Sequence, residues 1–308
     1  MVYIIHENEE WIRPLKVELD TLTIPYTEWN LTQGTLDLKQ IPPNGVFYNR
    51  MSASAHTRGN QNAPDLAASV LSWLESYDRR VVNSRRSLQL ELSKGEQHVE
   101  LEQAGLGTPR TAVAIGKKEI MDAARSFNQL PFIIKPNRGG KGQGVTLISE
   151  LNELEKLLSE NEIHDLTIDG VMLIQEYIPP KDGKVVRMEF IEGKFYYAVE
   201  VDTGGSFELC PADICEIPDN KGPDFNILDG FSIPEIEKCE AFLNANHIEI
   251  AGMEFLEDND ENRYFYDVNT NTNYNSNAEE KNGKLKGMKR VAEFLKSEVD
   301  KVEEFQLK

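Results

Sequence analysis

Two spacings of apolar residues alternate along the first part of this chain. Short apolar runs typical of strands occur at 2–6 (VYIIH), 44–52 and 79–84, and helical spacing occurs at 10–22 and 63–77. A helix that buries one face repeats apolar residues every three to four positions, whereas a short buried strand is apolar throughout. Strands that alternate with helices in this way predict a small parallel α/β lobe over residues 1–82.

The pattern beyond residue 82 predicts two further lobes that mix helices with antiparallel strands. Helices are predicted at 87–105, 117–127, 151–160, 233–247 and 284–305, the last of them amphipathic. Residues 185–201 alternate apolar and polar positions around Glu192-Gly193, as a β-hairpin should. A second hairpin is predicted where 248–258 and 262–271 flank an acidic turn, DNDEN. We therefore expect an α/β protein with α+β lobes, divided into domains at 1–82, 83–172 and 173–308.

A glycine-rich segment, FIIKPNRGGKGQGVTLI, lies at 132–148 and includes Gly139, Gly140, Gly142 and Gly144. No Gly-Lys pair in the chain is followed by Ser or Thr, so the loop is not a GxxxxGK[ST] phosphate loop. A strand follows the loop, so it is not a dinucleotide fingerprint, which opens a helix. Bare backbone N–H groups can converge on an anion. The segment predicts a mobile flap over the phosphates of a nucleotide, with Lys135 pointing at them. An ordinary hairpin turn is the alternative, although such turns rarely need four glycines.

Two carboxylates interrupt the apolar strands of the last predicted hairpin. Asp267 and Asn269 are two positions apart and share one face of a strand, and Glu254 lies on the strand predicted beside it. A phosphate flap implies a divalent metal, for which carboxylate and amide oxygens are suitable ligands. We predict that Glu254, Asp267 and Asn269 bind Mg²⁺. Solvent-facing charges are the alternative, but an unpaired carboxylate within an apolar strand is costly.

Composition narrows the class of protein. The formal net charge of −19 over 308 residues argues against non-specific nucleic-acid binding, because a polyanion would be repelled. No apolar stretch is long enough to span a membrane, and the first residues, MVYIIHENEE, lack the cationic start of a signal peptide. The cysteines, Cys210, Cys215 and Cys239, show no Cys-x-x-Cys spacing. We expect a cytoplasmic protein with reduced cysteines and no membrane or nucleic-acid partner.

Together these features resemble the ATP-grasp superfamily, and most closely its RimK-like carboxylate–amine ligases of the alpha-L-glutamate type. The matching segments are SKGEQHVELEQAGLGTPRT, FIIKPNRGGKGQGV, VMLIQEYI, VVRMEFIEGKFYYAV and AGMEFLEDNDENRYFYDVNTN. They follow the family's order over most of residues 83–275. The implied ATP-grasp fold has an N-terminal Rossmann-like preATP-grasp lobe, a central lobe with the glycine flap and a C-terminal lobe with the metal site.

The resemblance also implies roles for individual residues. Lys94 and Lys135 would be the phosphate-binding lysines, and Arg187 would contact the phosphates or an acyl phosphate, which makes Lys135 and Arg187 the catalytic candidates. The adenine edge would be bound by Gln175, Glu176, Tyr177 and Ile178. Asp182 is the nearest acid for the ribose. The family usually has Glu where Asp267 stands, and it often continues Ser-Pro-Gly after the metal asparagine, where this chain reads TNTNYN.

The reaction of this family joins a carboxylic acid to an amine. The carboxylate attacks the γ-phosphate of ATP, giving an acyl phosphate and ADP, and the amine then displaces phosphate. The resemblance implies ATP as a cofactor together with Mg²⁺, for which Mn²⁺ could substitute. Two alternatives stay open: a D-alanine–D-alanine-type dipeptide ligase, and a nucleotide-binding phosphotransferase without an amine acceptor. A non-catalytic protein that keeps the fold is disfavoured, because it would be expected to lose the metal ligands.

Substrate residues are predicted in two places. Residues 49–60, where the strand at 44–52 runs into a polar loop, carry Arg50, His56 and Arg58, and arginine binds a carboxylate through two parallel hydrogen bonds. Asn271 and Tyr274, just beyond the metal residues, could hydrogen-bond an amide or a carboxylate. We expect an amino acid as the amine and an amino acid, a peptide or a protein C-terminus as the acid. The amphipathic C-terminal helix could serve the core or the interface of a homo-oligomer.

Overall fold

The first lobe is a four-stranded parallel sheet covered by helices. The computed structural model describes residues 1–140, 142–202, 224–283 and 286–306. The strands are β1 (Val2–His6), β2 (Tyr26–Asn30), β3 (Val46–Asn49) and β4 (Arg80–Val82). They lie in the order β2-β1-β3-β4, and every neighbouring pair is parallel. Helices α1 (Glu9–Thr21) and α2 (Ala63–Ser76) provide crossovers between them. The predicted parallel α/β lobe is confirmed.

Burial explains which strands of this sheet the sequence reveals. Strands β1 and β3 are central and apolar, and all four residues of β3 are buried. The edge strand β2 reads YTEWN, and none of its residues is fully buried. An edge strand that is wet on one side needs no continuous apolar run, so the sequence pattern does not predict β2.

The second sheet is antiparallel and holds the glycine-rich segment. Its strands are β5 (Thr111–Ile115), β6 (Phe132–Pro136), β7 (Thr146–Ile148) and β8 (Val171–Glu176), in the order β5-β8-β6-β7. Helices α5 (Lys117–Ser126) and α6 (Leu151–Glu160) cover one face, and α7 (Ile163–Leu166) follows them. The glycine segment joins two antiparallel strands, as predicted. Residue 172, the predicted end of the second domain, falls within β8, and the domain division stays a prediction.

The third sheet contains both predicted hairpins. Its strands are β9 (Lys184–Ile191), β10 (Lys194–Asp202), β11 (Asp224–Ile227), β12 (Ile250–Glu257) and β13 (Arg263–Asn269), in the order β11-β10-β9-β12-β13. The turn between β9 and β10 uses two left-handed residues, Glu192 (φ 60°) and Gly193 (φ 67°), a geometry that suits a tight hairpin. Helix α8 (Glu235–Ala245) packs its buried Phe242 and Leu243 into the core beside this sheet, and α9 (Ser276–Asn282) follows β13.

The helix predicted at 87–105 is in fact two helices, α3 (Arg85–Leu92) and α4 (Lys94–Gln103). Ser93 separates them with an extended backbone (φ −136°, ψ 99°), and its Oγ accepts a hydrogen bond from the backbone N–H of Glu96 at 3.3 Å. Serine in this position is a common helix N-cap. The break places Lys94 in the first turn of a new helix, whose end is followed by the left-handed Gly105 (φ 73°).

One apolar core joins the first lobe to the third sheet. The last helix, α10 (Gly287–Gln306), packs against α1, and its buried Val291, Phe294 and Leu295 share a core with residues of β1, β9 and β12. Among the described residues, no helix has the length and apolar character needed to cross a membrane. Cys239 is a free and buried thiol, while Cys210 and Cys215 lie outside the described residues.

Candidate functional site

Strands β12 and β13 bring the three predicted metal ligands together. Glu254 and Asp267 are direct register partners across the two strands. Asn269 lies on the same face as Asp267, and its Nδ2 donates to Glu254 Oε1 at 3.1 Å and to Asp267 Oδ2 at 3.2 Å. The hairpin therefore places two carboxylates and one amide within hydrogen-bond distance of each other.

Two cations neutralise these carboxylates. Lys94, from the first turn of α4, donates from Nζ to Asp267 Oδ1, and Arg187, on β9, donates from Nη1 to Glu254 Oε1 at 2.7 Å. Burial opposes ionisation of Asp267, but Lys94, Lys135 and Asn269 together lower the pKa of that carboxyl. Burial raises the pKa of Glu254 to about 7 against the opposing effect of Arg187. The ion pairs satisfy charges that would be costly if buried alone.

Lys135 is the buried cation of this site that pairs with no carboxylate in the described part of the chain. It lies on β6 with 5% of its surface exposed. Among the described residues, its Nζ donates only to the backbone carbonyl of Tyr266, at 3.4 Å. Burial, together with the nearby ammonium of Lys94, lowers the pKa of Lys135 to about 7. A buried ammonium without a counterion is unfavourable by itself, and a ligand phosphate would supply the missing negative charge.

The glycine segment is anchored to the start of α4. The backbone N–H of Gly95 donates to Asn137 Oδ1 at 2.9 Å, and that of Lys94 donates to the carbonyl of Asn137 at 3.2 Å. Gly142 and Gly144 take left-handed backbone angles (φ 69° and 76°), which suit glycine. These contacts hold the base of the predicted flap next to both phosphate-binding lysine candidates.

Across from the flap lies the loop after β3. A Cβ on Gly140 would lie 3.1 Å from Cβ of Ser54, and Arg138 Nη2 donates to the carbonyl of Gln61 at 3.0 Å. Lys141, which belongs to the same segment, lies outside the described residues. The flap therefore spans from the second sheet to a loop of the first lobe.

The predicted adenine segment continues β8 toward the third sheet. Gln175 is buried, and its Nε2 lies 3.0 Å from both His98 Nε2 and Thr111 Oγ1. The backbone N–H of Glu176 donates to the carbonyl of Arg110 at 2.8 Å. Tyr177 is half-buried, Ile178 packs into the core, and Asp182 lies on an exposed turn with a left-handed φ of 55°.

The sheet face that carries Lys135 is otherwise mostly apolar, which the sequence reading missed. Lys135 pairs in register with Leu173, and Leu173 pairs with Val113. Register partners point to the same face of a sheet. Val113 is 55% exposed and Ile115, on the same strand, 67%. The sequence TAVAI (111–115) could have predicted this apolar face. Its alternating side chains leave one face of an edge strand apolar, with no element that covers it.

Arg50, His56 and Arg58 are engaged within the protein. Arg50 is 2% exposed, and its Nη1 donates to the carbonyl of Thr272 at 2.9 Å. Arg58 forms an ion pair with the buried Glu7 at 2.5 Å and stacks 4.5 Å from the ring centroid of Trp11. His56 Nδ1 lies 3.0 Å from the carbonyl of Ala53.

Asn271 and Tyr274 follow the predicted metal ligands closely in the sequence. Both side chains are buried. Neither Asn271 Oδ1 nor the Tyr274 hydroxyl has a hydrogen-bond partner among the described residues. Their neighbour Thr272, which the sequence reading did not single out, is fully engaged: its Oγ1 donates to Glu189 Oε2 at 2.8 Å and accepts from Arg187 Nη2 at 2.6 Å. Nothing in the sequence pattern marks Thr272, because its partners come from a different strand.

The donor set of the site fits magnesium. No group of three or more His, Cys, Asp and Glu side chains that could hold a metal occurs within the described ranges. Glu254, Asp267 and Asn269 instead offer two carboxylates and one amide oxygen, and Mg²⁺ is commonly bound through one or two carboxylates plus substrate phosphates. Lys94 and Arg187 already neutralise the charges of the two carboxylates. A phosphate ligand would therefore be needed to rearrange these cations or to bring in a metal.

Comparison with known sequences matches a family domain to the part of the chain that carries Lys94, Lys135 and Arg187. Residues 92–208 match the family profile described as RimK-like ATP-grasp domain. A protein described as "Probable alpha-L-glutamate ligase" from Desulfotalea psychrophila is 27% identical over 153 residues, which is 50% of this chain and 32% of that protein. The chain therefore spans less than a third of the length of this curated relative.

Solved structures resemble the chain over nearly its whole length. The RimK domain protein ATP-grasp from Sphaerobacter thermophilus superposes with a TM-score of 0.67 at 15% identity, covering 96% of this chain and 98% of the other. The ATP-grasp ligase PsnB complexed with its minimal precursor gives a TM-score of 0.68 at 18% identity, with the same coverage. Residues 92–208 are therefore similar to a RimK-like ATP-grasp domain, and the chain has, over nearly its whole length, the fold of the ATP-grasp ligases.

Proposed function

We propose that this protein is an ATP-dependent carboxylate–amine ligase that forms an amide or peptide bond through an acyl phosphate. The observation that carries the proposal is the convergence of Lys94, Lys135 and Arg187 on the carboxylates Glu254 and Asp267, beside a glycine flap. These residues come from five different elements, α4, β6, β9, β12 and β13. Phosphoryl transfer depends chiefly on positioning and charge neutralisation, and the site supplies both.

In the proposed reaction, an oxygen of the acid substrate attacks the γ-phosphorus of ATP. The bond from that phosphorus to the bridging oxygen breaks, and ADP leaves. The nitrogen of the amine then attacks the acyl carbon, loses a proton, and expels inorganic phosphate. Lys135 and Lys94 would bind the phosphates, and Arg187 would stabilise the acyl phosphate. Mg²⁺ held by Glu254, Asp267 and Asn269 would neutralise phosphate charge.

The nucleotide would lie between the second and third sheets. Gln175, Glu176, Tyr177 and Ile178 would bind the adenine edge, with Asp182 as the candidate for the ribose. Val113 and Ile115 share β5, and Val113 lies beside Gly95 at the start of α4. Their exposed apolar side chains would cover one side of the base. The glycines of the flap would close over the phosphates and exclude water from the acyl phosphate.

The substrates are proposed from the relatives and from the site together. The relative from Desulfotalea psychrophila is described as a probable alpha-L-glutamate ligase, and PsnB was solved with a precursor and, in a further structure, with Mg and ADP. We propose an amino acid as the amine and an amino acid, a peptide or a protein C-terminus as the acid. Asn271, Tyr274, His56 and Arg58 are the candidates for contacting them.

The proposal includes four further features that the site itself does not determine. They are a cytoplasmic location, use of Mn²⁺ in place of Mg²⁺, a homo-oligomeric state, and the three domains at 1–82, 83–172 and 173–308. Size-exclusion chromatography with light scattering would test the oligomeric state. A metal series in the activity assay would test Mn²⁺.

A D-alanine–D-alanine-type dipeptide ligase is the second candidate. A D-Ala:D-Ser ligase from Enterococcus faecalis, VanG, shares the fold with a TM-score of 0.66. The segment TNTNYN after Asn269 lacks the Ser-Pro-Gly typical of such ligases, and this lowers that option. A phosphotransferase without an amine acceptor would release ADP without forming a condensation product.

The experiment that tests the proposal is an ADP-release screen across amino acids and acidic peptides, in Mg²⁺ and ATP, with mass spectrometry of the products. A ligase gives ADP release that requires both an acid and an amine, together with a product whose mass equals their sum less one water. ADP release without such a product would favour the phosphotransferase. A product only from two D-amino acids would favour the dipeptide ligase.

A further inference from the structure

Arg187 lies flat against the backbone of a neighbouring strand. Gly252, on β12, pairs in register with Glu189 on β9, two residues from Arg187. A Cβ on Gly252 would come within 2.5 Å of Arg187 Nη2, 2.7 Å of Cζ and 2.8 Å of Nε. Contacts this short do not occur, so only glycine leaves room for the guanidinium at this place.

Three acceptors hold the guanidinium in this position. Nε donates to Glu189 Oε1 at 2.6 Å, Nη1 donates to Glu254 Oε1 at 2.7 Å, and Nη2 donates to Thr272 Oγ1 at 2.6 Å. A guanidinium has five N–H groups. Within the described part of the chain, one N–H on each terminal nitrogen is left without an acceptor, and these two are available to a ligand oxygen.

The Thr272 hydroxyl is itself fixed by other residues. It donates to Glu189 Oε2 at 2.8 Å, so its lone pairs face Arg187. The carbonyl of Thr272 accepts from Arg50 Nη1 at 2.9 Å. Arg50 is buried, and its Nη2 donates to Asn273 Oδ1 at 2.8 Å and to the carbonyl of Trp11 at 3.3 Å. The loop that carries Thr272 is thereby attached to the first lobe.

The neighbouring backbone of this loop is held in the same way. The backbone N–H of Thr270 donates to Glu91 Oε2 at 2.8 Å, and its carbonyl accepts from Asn83 Nδ2 at 2.8 Å. Asn83, Glu91 and Arg50 all precede the glycine flap in the chain, yet each is buried against residues 270–273. Residues near the junction of the first two predicted domains therefore set the position of a loop in the third.

We propose that Thr272 is a positioning residue for Arg187, and that Arg50 acts on Arg187 through Thr272 and does not contact the substrate. The hydrogen bond from Nη2 to the Thr272 hydroxyl fixes the orientation of the guanidinium plane, so that the two free N–H groups of Arg187 point at the acyl phosphate oxygens. This role rests on the proposed ligase function. In this proposal Arg50 supports Thr272, whereas its position in the loop had suggested that it binds a carboxylate.

The test uses two substitutions of one residue. Thr272→Val keeps the shape of the side chain and removes the hydroxyl, whereas Thr272→Ser keeps the hydroxyl and removes a methyl group. We expect Thr272→Val to lower kcat for ADP release, with Mg²⁺, ATP and an equimolar mixture of the protein amino acids, by about tenfold, since small misplacements of a catalytic group have effects of this size or larger. The KM for ATP should change less than about twofold, because Lys94, Lys135 and the flap still bind the phosphates.

Thr272→Ser should restore most of the kcat, and Thr21→Val, on the exposed surface of α1, should behave as the unchanged protein. Equal losses in Thr272→Val and Thr272→Ser would show that the position is sensitive to any change of its side chain, with no specific role for the hydroxyl, and would overturn the proposal. So would a Thr272→Val enzyme with unchanged kcat.

A second measurement does not depend on activity. Protein labelled with ¹⁵N-arginine reports rotation about the Cζ–Nη2 bond of Arg187, whose signal is assigned by its loss in Arg187→Lys. Rotation should be faster in Thr272→Val and in Arg50→Lys, and close to normal in Thr272→Ser. Unchanged rotation in Thr272→Val refutes the positioning role whatever the enzyme does. Faster rotation in a protein that releases no ADP would support the positioning role and count against the ligase proposal.

Discussion

Lys135 has the electrostatic character of a residue that binds an anionic ligand. Its ammonium is buried, lies near Lys94 and, among the residues that the structure describes, donates only to the carbonyl of Tyr266. Lys94, in contrast, already has the carboxylate of Asp267. The two lysines that the family resemblance treats alike therefore differ in the folded protein, and the phosphate charge should matter more to Lys135.

The first prediction concerns this lysine. Lys135→Ala should abolish ATP turnover while leaving the fold intact, because no carboxylate loses its partner when the buried ammonium is removed. ADP release and thermal unfolding of the same preparation would measure both effects. Lys118→Ala, at an exposed position of α5, is the matched control and should retain activity. Full activity in Lys135→Ala would contradict the assignment of the flap and its lysine.

Asp267 supports a second prediction at the same scale. Asp267→Asn keeps the shape of the side chain but removes the charge that Lys94 and a metal share. The Mg²⁺ concentration for half-maximal activity should rise by about tenfold or more. Loss of a residue that only hydrogen-bonds to a metal ligand often weakens metal binding by this much. Asp122→Asn, exposed on α5, serves as the control. An unchanged magnesium titration in Asp267→Asn would count against the metal site.

Among the elements, the glycine segment connects two parts of the molecule that the sequence reading kept apart. Its base is bonded to the start of α4 through Asn137, and its middle lies against Ser54 of the first lobe. A flap that must lie so close to another loop has a steric reason for glycine at position 140, in addition to the need for open backbone N–H groups.

The third prediction follows from that contact. Gly140→Ala adds a Cβ that lies 3.1 Å from Cβ of Ser54, so the flap should close less well and the KM for ATP should rise several-fold. Replacing Ser54 by glycine in the same protein should recover part of the affinity, because it removes the opposing atom. Steady-state kinetics in ATP would measure both variants. No recovery in the double variant would show that the steric contact is not the cause.

At the scale of the whole molecule, stability depends on groups that stay neutral inside the fold. Burial, and next the ammonium groups of Lys135 and Lys94, lower the pKa of His98 from 6.5 to about 3. Below pH 6.5 the unfolded chain binds a proton at this histidine that the folded protein does not bind. Protonation therefore favours the unfolded state, and stability is lost as the pH falls from about 6.5 toward 3.

The fourth prediction is the size of that loss. Each pH unit below 6.5 should cost about 1.4 kcal/mol of unfolding free energy through His98 alone. His98→Gln, which cannot take up a proton, should show a shallower pH dependence by this amount. Urea denaturation at pH 7.5, 6.5 and 5.5 would compare the two proteins. Parallel stability curves for the two proteins would show that His98 is not the group responsible.

The sequence by itself determined the kind of fold and predicted which charged residues form the candidate site. Apolar spacing predicted the parallel first lobe and both hairpins of the third sheet, because binary patterns repeat with the period of the element that they form. The sequence also predicted that Glu254 and Asp267 lie on neighbouring strands, but their direct pairing depends on a register shift between Glu254 and Phe255, which the turn length does not reveal.

Only the tertiary structure decided which charges meet and which are free. Arg50 and Arg58 read alike in the sequence as cations in a polar loop, but one holds the loop at Thr272 and the other pairs with Glu7. The contacts of Thr272, Gly252 and Asn83 join residues that are far apart in the chain, and local patterns carry no information on such pairs. Burial decides the pKa of Lys135 and His98 for the same reason, because solvent exposure is a property of the packed molecule and not of the residue type.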